Sequence, residues 1–470
     1  MKKNDRLVLT IEDLGEDGVG IGRLDGYIWF VKDALIGDMV EASVMKMKKN
    51  YGFARLVQIL KPAPGRVKAR CPVARACGGC QLQELSYEEQ LHFKERKVCN
   101  HLKRIGGVGG LLLPEEAALA DETPDAIVME PIIGMEEPWR YRNKAQYPIG
   151  HTKDGRLTAG FYAGRTHALI PLPEGGCLLS SEEDQGLLKV ILDFMQEYGI
   201  QSYQETEHTG LVRHVLLRKG FYSGQQMVCL VINGETLPHA EVLSARLKGA
   251  GVASLSLSVN MERTNVIMGK HTIHLYGPGY ITDRIGKLEY RVSPDSFYQV
   301  NPLQTKKLYE TALEFAGLTG NETVWDLYCG IGTISLFLAQ NARMVYGVEV
   351  VLQAVGDARE NALRNGIHNA EFFVGEAEEV LPQQYEQNQI RADVIVVDPP
   401  RKGCARACLD TILKMAPDRV VYVSCDSATL GRDVKYLSGG GYRLTRVRTI
   451  DMFPMSGHVE TVVLMSRKDK

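Results

Sequence analysis

From Glu322 onward, five short apolar runs alternate with helical patterns: VWDLYC, MVYGVEV, AEFFVGE, ADVIVVDPP and RVVYVSC. This rhythm constrains the fold more than any other feature of the chain, because it predicts a doubly wound α/β sheet. Two further strands, Tyr442–Met452 and His458–Ser466, lie nearly adjacent in sequence and are expected to pair antiparallel. Open sheets of this kind bind ligands outside the carboxyl ends of their strands.

Polar residues gather at those ends. Asp326-Leu-Tyr-Cys-Gly-Ile-Gly-Thr333 ends one strand and opens a helix through a glycine-rich turn, which lets backbone approach a ligand at a helix N-terminus. The next strand ends in Glu349, whose carboxylate can accept hydrogen bonds from two ribose hydroxyls. Asp398, in DPPRKG, ends the fourth strand. Singly, each carboxylate reads equally as a helix cap or a surface charge. Together with the glycine turn they predict an S-adenosylmethionine site. A nicotinamide cofactor is disfavoured, because Ser335 stands where the third glycine of G-x-G-x-x-G belongs.

The fifth strand runs into Ser424-Cys425-Asp426. A lone cysteine is more often a buried structural thiol, but this one shares its rim with the expected cofactor site. Methyl transfer to C5 of a pyrimidine gives such a thiol a purpose. That carbon is not nucleophilic until a thiolate adds at C6, and a base must afterwards remove the C5 proton. Glu460, in Gly457-His-Val-Glu-Thr461, is the candidate base; its ordinary reading is an edge-strand charge.

The 470 residues, 44% apolar and 24% charged, predict two to four domains of a soluble globular protein. No apolar run reaches membrane-spanning length and MKKNDRLVLT lacks a signal-peptide core, so a cytoplasmic location is expected. Residues 6–61 read as a small all-β unit, with turns at Gly15–Gly18 and Leu24–Gly26 and a linker at Lys61-Pro-Ala-Pro-Gly65. The net charge of −2 argues against nucleic acid, but its distribution does not. Between Ala42 and Gln83 there are nine basic residues and no acid, which predicts a local phosphate-binding face.

Cys71, Cys77 and Cys80 form a C-x5-C-G-G-C loop, whose glycines let amides turn toward sulfur or metal. A fourth ligand is either Cys99 or Cys177. The spacing departs from zinc ribbons and from the C-x3-C-x2-C of radical enzymes, so an iron–sulfur cluster is favoured over zinc. Residues 106–125 read as an exposed connection. From Trp139 the chain is strand-rich, and Arg140, Arg142, Lys144, Arg213, His214 and Arg218 predict a basic sheet face. That face is either ordinarily solvated or an RNA platform.

The first 61 residues resemble a TRAM domain, an OB-like barrel, in which Tyr27, Trp29, Tyr51 and Phe53 are open candidates for RNA contact. The closing half resembles the class I methyltransferase sheet. With C-x5-C-G-G-C, SFYQVN at Ser296–Asn301, DLYCGIGT, DPPRKG, VSCD and DMFPMSGHVET, essentially the whole chain resembles the RNA uracil-5-methyltransferases, in the 23S ribosomal RNA branch.

The resemblance implies an α/β multidomain architecture. A TRAM barrel would occupy residues 1–62, a central antiparallel-sheet domain with the iron–sulfur loop 63–285, and a Rossmann-like methyltransferase domain 286–470. It implies Cys425 as nucleophile and Glu460 as general base, with Gln299, Tyr328, Glu349 and Asp398 contacting S-adenosylmethionine. Thr333 stands where some members carry Asn. Cys71, Cys77, Cys80 and Cys177 would hold a [4Fe-4S] cluster that is redox-silent. The expected partner is an unpaired or flipped uridine of 23S ribosomal RNA, met by a monomer with no membrane involvement. The tRNA branch is expected to lack the barrel and the cysteine cluster. A cytosine-5 enzyme would place a cysteine beside the DPP motif, where Arg401 stands, and an amino-group enzyme would place an aromatic there. A non-catalytic RNA-binding assembly factor is the alternative from another class.

Overall fold

The computed structural model describes residues 1–15, 18–164 and 166–468. Glu16 and Asp17, half of the turn expected at Gly15–Gly18, lie outside the described residues. Strands β1 (Arg6–Leu14), β2 (Gly20–Leu24), β3 (Tyr27–Lys32), β4 (Met39–Met47) and β5 (Tyr51–Lys61) close into a barrel in the order β1-β2-β3-β5-β4. Leu7, Leu9 and Ile11 meet Trp29, Val31 and Ala54 inside it. Gly52 is required there, because a Cβ would stand 2.4 Å from the Trp29 ring. Trp29 is therefore core, and the Tyr27 hydroxyl is engaged by the carbonyls of Lys48 and Tyr51.

The expected linker is pinned rather than free. The Ala63 N–H donates to the buried Asp38 carboxylate at 2.9 Å, and Asp38 pairs with Arg66 at 2.7 Å. Glu84, just beyond the acid-free stretch, takes up both Arg66 and Arg75. Arg66 is thus an internal partner, whereas Arg75 stays more than half exposed beside Glu84.

Helix α1 (Tyr87–Arg104) starts where the Ser86 side chain accepts from the Glu89 N–H. It buries Phe93, Val98, Cys99 and Leu102. The segment expected to be a plain connection instead carries a 3-10 turn at Pro114–Glu122, between β6 (Leu111–Leu112) and its parallel partner β7 (Ile127–Val128). Strand β8 (Glu130–Ile133) follows.

The central sheet contains β9 (Lys144–His151), β10 (Leu157–Tyr162), β11 (Leu169–Pro171), β12 (Val212–Lys219), β13 (Gln226–Ile232), β14 (Val252–Val259) and β15 (His271–Tyr276), in the order β11-β10-β9-β12-β13-β14-β15. Helices α2 (Glu183–Glu197) and α3 (Ala240–Gly249) supply core residues against one face. The sheet is not purely antiparallel: β13 and β14 run parallel, joined through α3. Nor does it present the expected basic face. Arg213 is buried and donates to the carbonyls of Asn260, Glu262 and Thr264; Arg218 is buried and donates to those of Pro294 and Ser296. A buried guanidinium with several forked donors is stable when backbone carbonyls accept them.

Hairpin β16 (Ile281–Ile285) and β17 (Leu288–Val292) leads to α4 (Pro302–Ala316). Then β18 (Thr323–Leu327), α5 (Thr333–Ala339), β19 (Met344–Glu349), α6 (Leu352–Arg364), β20 (Ala370–Val374), α7 (Ala377–Asn388), β21 (Val394–Val397), α8 (Arg406–Met415), β22 (Arg419–Ser424), α9 (Ser427–Gly439), β23 (Tyr442–Ile450) and β24 (Glu460–Arg467) follow. The sheet order is β20-β19-β18-β21-β22-β24-β23-β8. Strands β20 to β22 are parallel, and β24 inserts antiparallel between β22 and β23. Two apolar layers cover the two faces. Segments from before residue 286 also pack against the C-terminal sheet: β8 extends it, α1 packs on α9, and Ile285 ends β16 within the β16–β17 hairpin. Among the described residues no helix is long and apolar enough to cross a membrane.

Candidate active site

The glycine turn after β18 is bent by three residues in the left-handed region: Tyr328 (φ 67°), Gly330 (φ 55°) and Gly332 (φ 80°). A Cβ on Gly330 would meet nothing within 4 Å, so backbone there is open to a ligand. A Cβ on Gly332 would crowd Ala358 and Phe372 at 3.1 Å, so that glycine serves packing. Glu349 is held by two amides, Gly330 N–H to Oε2 at 3.2 Å and Val351 N–H to Oε1 at 3.0 Å. Its remaining lone pairs stay available to hydroxyl donors. Thr333 is committed internally, with its hydroxyl 2.9 Å from that of Tyr309. The Tyr328 ring packs toward Cys404 and Cys408 beneath the turn.

Strand pairing sets the rest. Leu327 lies opposite Val348 on one side and Val397 on the other, so Tyr328, Glu349 and Asp398 fall in one row along the carboxyl edge. Ser424 pairs with Thr461, and one step further the antiparallel register places Glu460 opposite Cys425. Asp426 then caps α9, accepting from the Ala428 and Thr429 amides at 3.0 and 2.9 Å. This cap fixes where the chain turns away after Cys425.

The electrostatics are those of carboxylates kept out of water. Burial pushes Glu460 up to about 8, helped by Asp398 and opposed by Arg401. Burial raises Asp398 to about 7. It does the same for Asp326, where Asp398 and Glu349 add repulsion against a 2.5 Å hydrogen bond from Ser335. Among the described residues the other Asp326 oxygen is buried without a hydrogen-bond partner, which suits a polar ligand arriving beside the glycine turn. Cys425 rises to about 11 through burial and the negative charge of Glu460 and Asp398, with Arg401 again opposing.

Gln299 lies in the loop between β17 and α4. Its backbone carbonyl accepts from Asn143 at 2.9 Å, while Arg218 holds the Ser296 carbonyl and Asn301 caps α4. Arg218, buried in the central sheet, thus acts as an anchor for this loop. The segment before Glu460 is held still more densely. Lys94 reaches Asp451 at 2.6 Å, Gln90 accepts from the Met455 N–H, and Lys97 donates to the Gly457 carbonyl. The Gln81 and Leu82 amides both donate to the Met455 carbonyl. Burial and the cations Arg401, Lys97, Lys94 and Arg142 depress His458 to about 4.

Asp326 was visible in sequence as a strand-end acid. Arg401 and His458 lay inside the DPPRKG and GHVET motifs but carried no separate signal. Nothing in sequence marked Tyr309, whose neighbours come from three separate elements.

Cys71, Cys77, Cys80 and Cys177 line one small cavity of about 30 Å³. Cys99 is elsewhere, buried among Val98 and Leu102 in the layer beneath α9. Arg140 ties down the turn carrying Cys177 through that residue's carbonyl. Burial raises the thiols of Cys71, Cys77 and Cys80, the last to about 12, and neighbouring Arg142 opposes the rise at Cys77 and Cys80. Among the described residues no three His, Cys, Asp or Glu side chains converge as ligands of a single metal ion.

Comparison with known proteins places this geometry. Residues 263–468 match the family model for tRNA (uracil-5-)-methyltransferase, and residues 2–57 match the TRAM domain. A protein of Halalkalibacterium halodurans described as an uncharacterized RNA methyltransferase is 49% identical over 100% of this chain and 98% of its own. One from Bacillus cereus is 47% identical over 100% and 98%. The solved structure of Pyrococcus abyssi tRNA (uracil-54, C5)-methyltransferase with S-adenosyl-L-homocysteine superposes with a TM-score of 0.75 at 26% identity. It covers 98% of this chain and 100% of that one. A tRNA-acting enzyme therefore aligns along nearly the full length, so the barrel does not separate ribosomal from tRNA enzymes as expected. The chain belongs to the S-adenosylmethionine-dependent RNA uracil-5-methyltransferase family, in its TRAM-bearing form.

Proposed function

We propose that the protein methylates C5 of a uridine in 23S ribosomal RNA, with Cys425 as nucleophile and Glu460 as general base. The observation that carries this reading is the β22–β24 register, which sets Glu460 opposite Cys425 at the rim shared with Glu349 and Asp398. The Cys425 thiolate adds to uracil C6, and the displaced π pair forms an enolate through C5, C4 and O4. When bound, S-adenosylmethionine would supply an electrophilic methyl carbon: the C5 pair would bond to that carbon as its bond to sulfur breaks, the electrons staying on the sulfur of the released S-adenosylhomocysteine. Glu460 then takes the C5 proton, the C5–C6 double bond re-forms, and Cys425 leaves as thiolate. Gln299, Tyr328, Glu349 and Asp398 hold the cofactor in this scheme.

The ribosomal substrate rests on the resemblance carried by the sequence motifs. The second reading, tRNA, is favoured by the full-length likeness to the Pyrococcus abyssi tRNA (uracil-54, C5)-methyltransferase. Mass spectrometry of the protein with S-adenosylmethionine and 5-fluorouridine-substituted transcripts separates them, because fluorine at C5 cannot leave as a proton. A methylated adduct on Cys425 is expected with 23S fragments and none with Cys425→Ala. An adduct formed only with tRNA transfers the assignment to tRNA, and no adduct with any bound transcript removes the mechanism.

Cys71, Cys77, Cys80 and Cys177 form the site for a [4Fe-4S] cluster in this reading. A single ion needs every sulfur at about 2.3 Å from one point, whereas a cluster takes each thiolate on a different iron. What supports the reading is that the four thiols line one cavity and that Arg142 lies close enough to offset the charge of Cys77 and Cys80. Cys71, Cys77 and Cys80 on the 71–80 loop and Cys177 on its turn would hold the cluster between them and so be tied together when it is bound. Cys77→Ala is expected to lower bound iron, melting temperature and RNA affinity together; unchanged iron content would sink the assignment. The enzyme acts as a cytoplasmic monomer of three units, bounded near residues 62 and 285.

A further inference from the structure

Around Glu460 the chain alternates between the two apolar layers of the sheet. Val459 and Val463 enter the layer under α1, α8 and α9, and Val462 enters the layer under α4, α5 and α6. Glu460 shares the Val462 side, and the same alternation carries His458 there. A ring contact agrees: Phe453, which packs against that layer, meets the His458 ring at 6.2 Å and 78°. Alternate residues of an extended segment stand about 7 Å apart, so His458 lies one such step beyond Glu460, where the rim opens to solvent. Glu460 is only 2% exposed, whereas His458 and Cys425 are half-buried. The base is at the floor of the site and the imidazole at its mouth.

The segment carrying this imidazole is held in place. Lys97 donates to the Gly457 carbonyl at 3.1 Å, and the Ser456 hydroxyl donates to the Phe453 carbonyl at 2.8 Å while accepting from the His458 N–H at 3.4 Å. Among the described residues neither ring nitrogen has a hydrogen-bond partner. Four cations face the ring: Arg401, Lys97, Lys94 and Arg142. Together with burial they hold its pKa down at about 4, so the ring is uncharged at neutral pH. A neutral imidazole carries one N–H donor in either tautomer. Arg401 also acts on Cys425 and Glu460, so the thiol, the base and the imidazole share one neighbourhood. Arg401 itself is exposed, and water screens its charge.

We propose that the His458 imidazole donates a hydrogen bond to O4 of the target uracil and so stabilises the enolate formed when Cys425 adds to C6. The inference rests on the Cys425 and Glu460 chemistry proposed above. In that addition the sulfur pair becomes the S–C6 bond, the C5–C6 π pair shifts to C4–C5, and the C4–O4 π pair ends on O4. His458 transfers no proton. Its N–H bond stays intact, and the hydrogen bond strengthens as charge arrives at O4, which is how a fixed donor lowers a barrier. O4 stands one carbon from C5, where Glu460 works, so adjacent residues on one strand face serve adjacent atoms of the base.

The test uses the full chain, the transcript that wild type methylates, and the 5-fluorouridine form of that transcript. His458→Leu removes the donor and keeps apolar bulk, whereas His458→Gln returns an N–H donor that cannot ionise. Single-turnover methyl transfer by His458→Leu is expected to fall about 100- to 1000-fold, the range for losing one such donor. RNA affinity, read by anisotropy, is expected to stay within about twofold, and His458→Gln to recover most of the rate. The adduct on the 5-fluorouridine transcript should form correspondingly slowly in His458→Leu, because its formation needs the enolate but no removal of a C5 proton. An adduct that forms at the wild-type rate would mean that His458 only places Glu460, and overturns the inference. So does a leucine variant that melts normally and methylates within about threefold of wild type. The ratio of wild-type to His458→Gln rates is expected to stay level from pH 6 to 8; a ratio that falls as pH rises would make imidazolium the acting form and overturn it too. If wild type forms no adduct with any bound transcript, the Cys425 reading fails and takes this one with it. If wild type forms the adduct and His458→Leu forms it equally fast, this inference fails alone.

Discussion

Glu460 raises the proton affinity of the Cys425 thiol, which is itself partly buried, while burial and Asp398 raise that of Glu460. Replacing Glu460 by Gln removes repulsion from the thiolate, so the Cys425 pKa should fall from about 11 toward that of an ordinary thiol. Alkylation of Cys425 by iodoacetamide at pH 8 is expected to quicken about 2- to 10-fold in Glu460→Gln, measured by peptide mass spectrometry. A slower reaction would separate the two groups. The same burial makes a stability statement. Glu460 holds its proton more tightly folded than unfolded, so its stabilising contribution is full below its unfolded pKa and is lost as pH rises through about 8. Ligand-free Glu460→Gln should therefore melt above wild type at pH 9 and match it near pH 4, by differential scanning fluorimetry. The acids at this rim were legible in sequence because each ends an apolar run. Their mutual repulsion was not, because it depends on strand register between residues as far apart as 398 and 460.

At the scale of elements, the segment 451–459 is an irregular stretch made rigid by its neighbours. Its anchor is Lys94 on α1, fully buried with Asp451, which also accepts from the Tyr87 hydroxyl at 2.9 Å. Burial drags the Lys94 pKa down and Asp451 pulls it back up. Lys94→Met strands the Asp451 charge and is expected to cost about 3–5 kcal/mol in chemical denaturation, with the Lys94→Met/Asp451→Leu double variant losing less. A loss under 1 kcal/mol would mean water reaches the pair. Helix α1 could be read from its cap and amphipathic stripe, but its lysine looked like surface charge. Arg213 and Arg218 misled in the same way. A cation within a strand usually faces solvent, and only the assembled structure brings carbonyls of Asn260, Pro294 and Ser296 to meet them. Strand β8 escaped notice altogether, because Glu-Pro-Ile-Ile has no alternation and its partner lies more than 300 residues away, Glu130 opposite Arg448.

Across the whole molecule, the parallel strands β18 to β22 were plain in sequence because two-sided burial leaves continuous apolar runs. The assembly of those strands with α1, β8 and the central arginines was not, since every such contact is long-range. Shortening the chain to residue 458 tests how far the sheet depends on β24. Amides of Val420–Val423 and Tyr442–Ile450 are expected to lose hydrogen-exchange protection together, because both flanking strands pair with β24. Retained protection would show that β22 and β23 find another partner. The insertion of β24 between two earlier strands also has a temporal meaning. Synthesis proceeds from the N-terminus, so β22 and β23 leave the ribosome with a strand-wide gap between them. Glu460, the first residue of β24, sits opposite Cys425 only when that gap closes. A nascent chain in which β24 has not yet emerged thus carries Cys425 without Glu460 opposite it, and the two meet only when the sheet is complete.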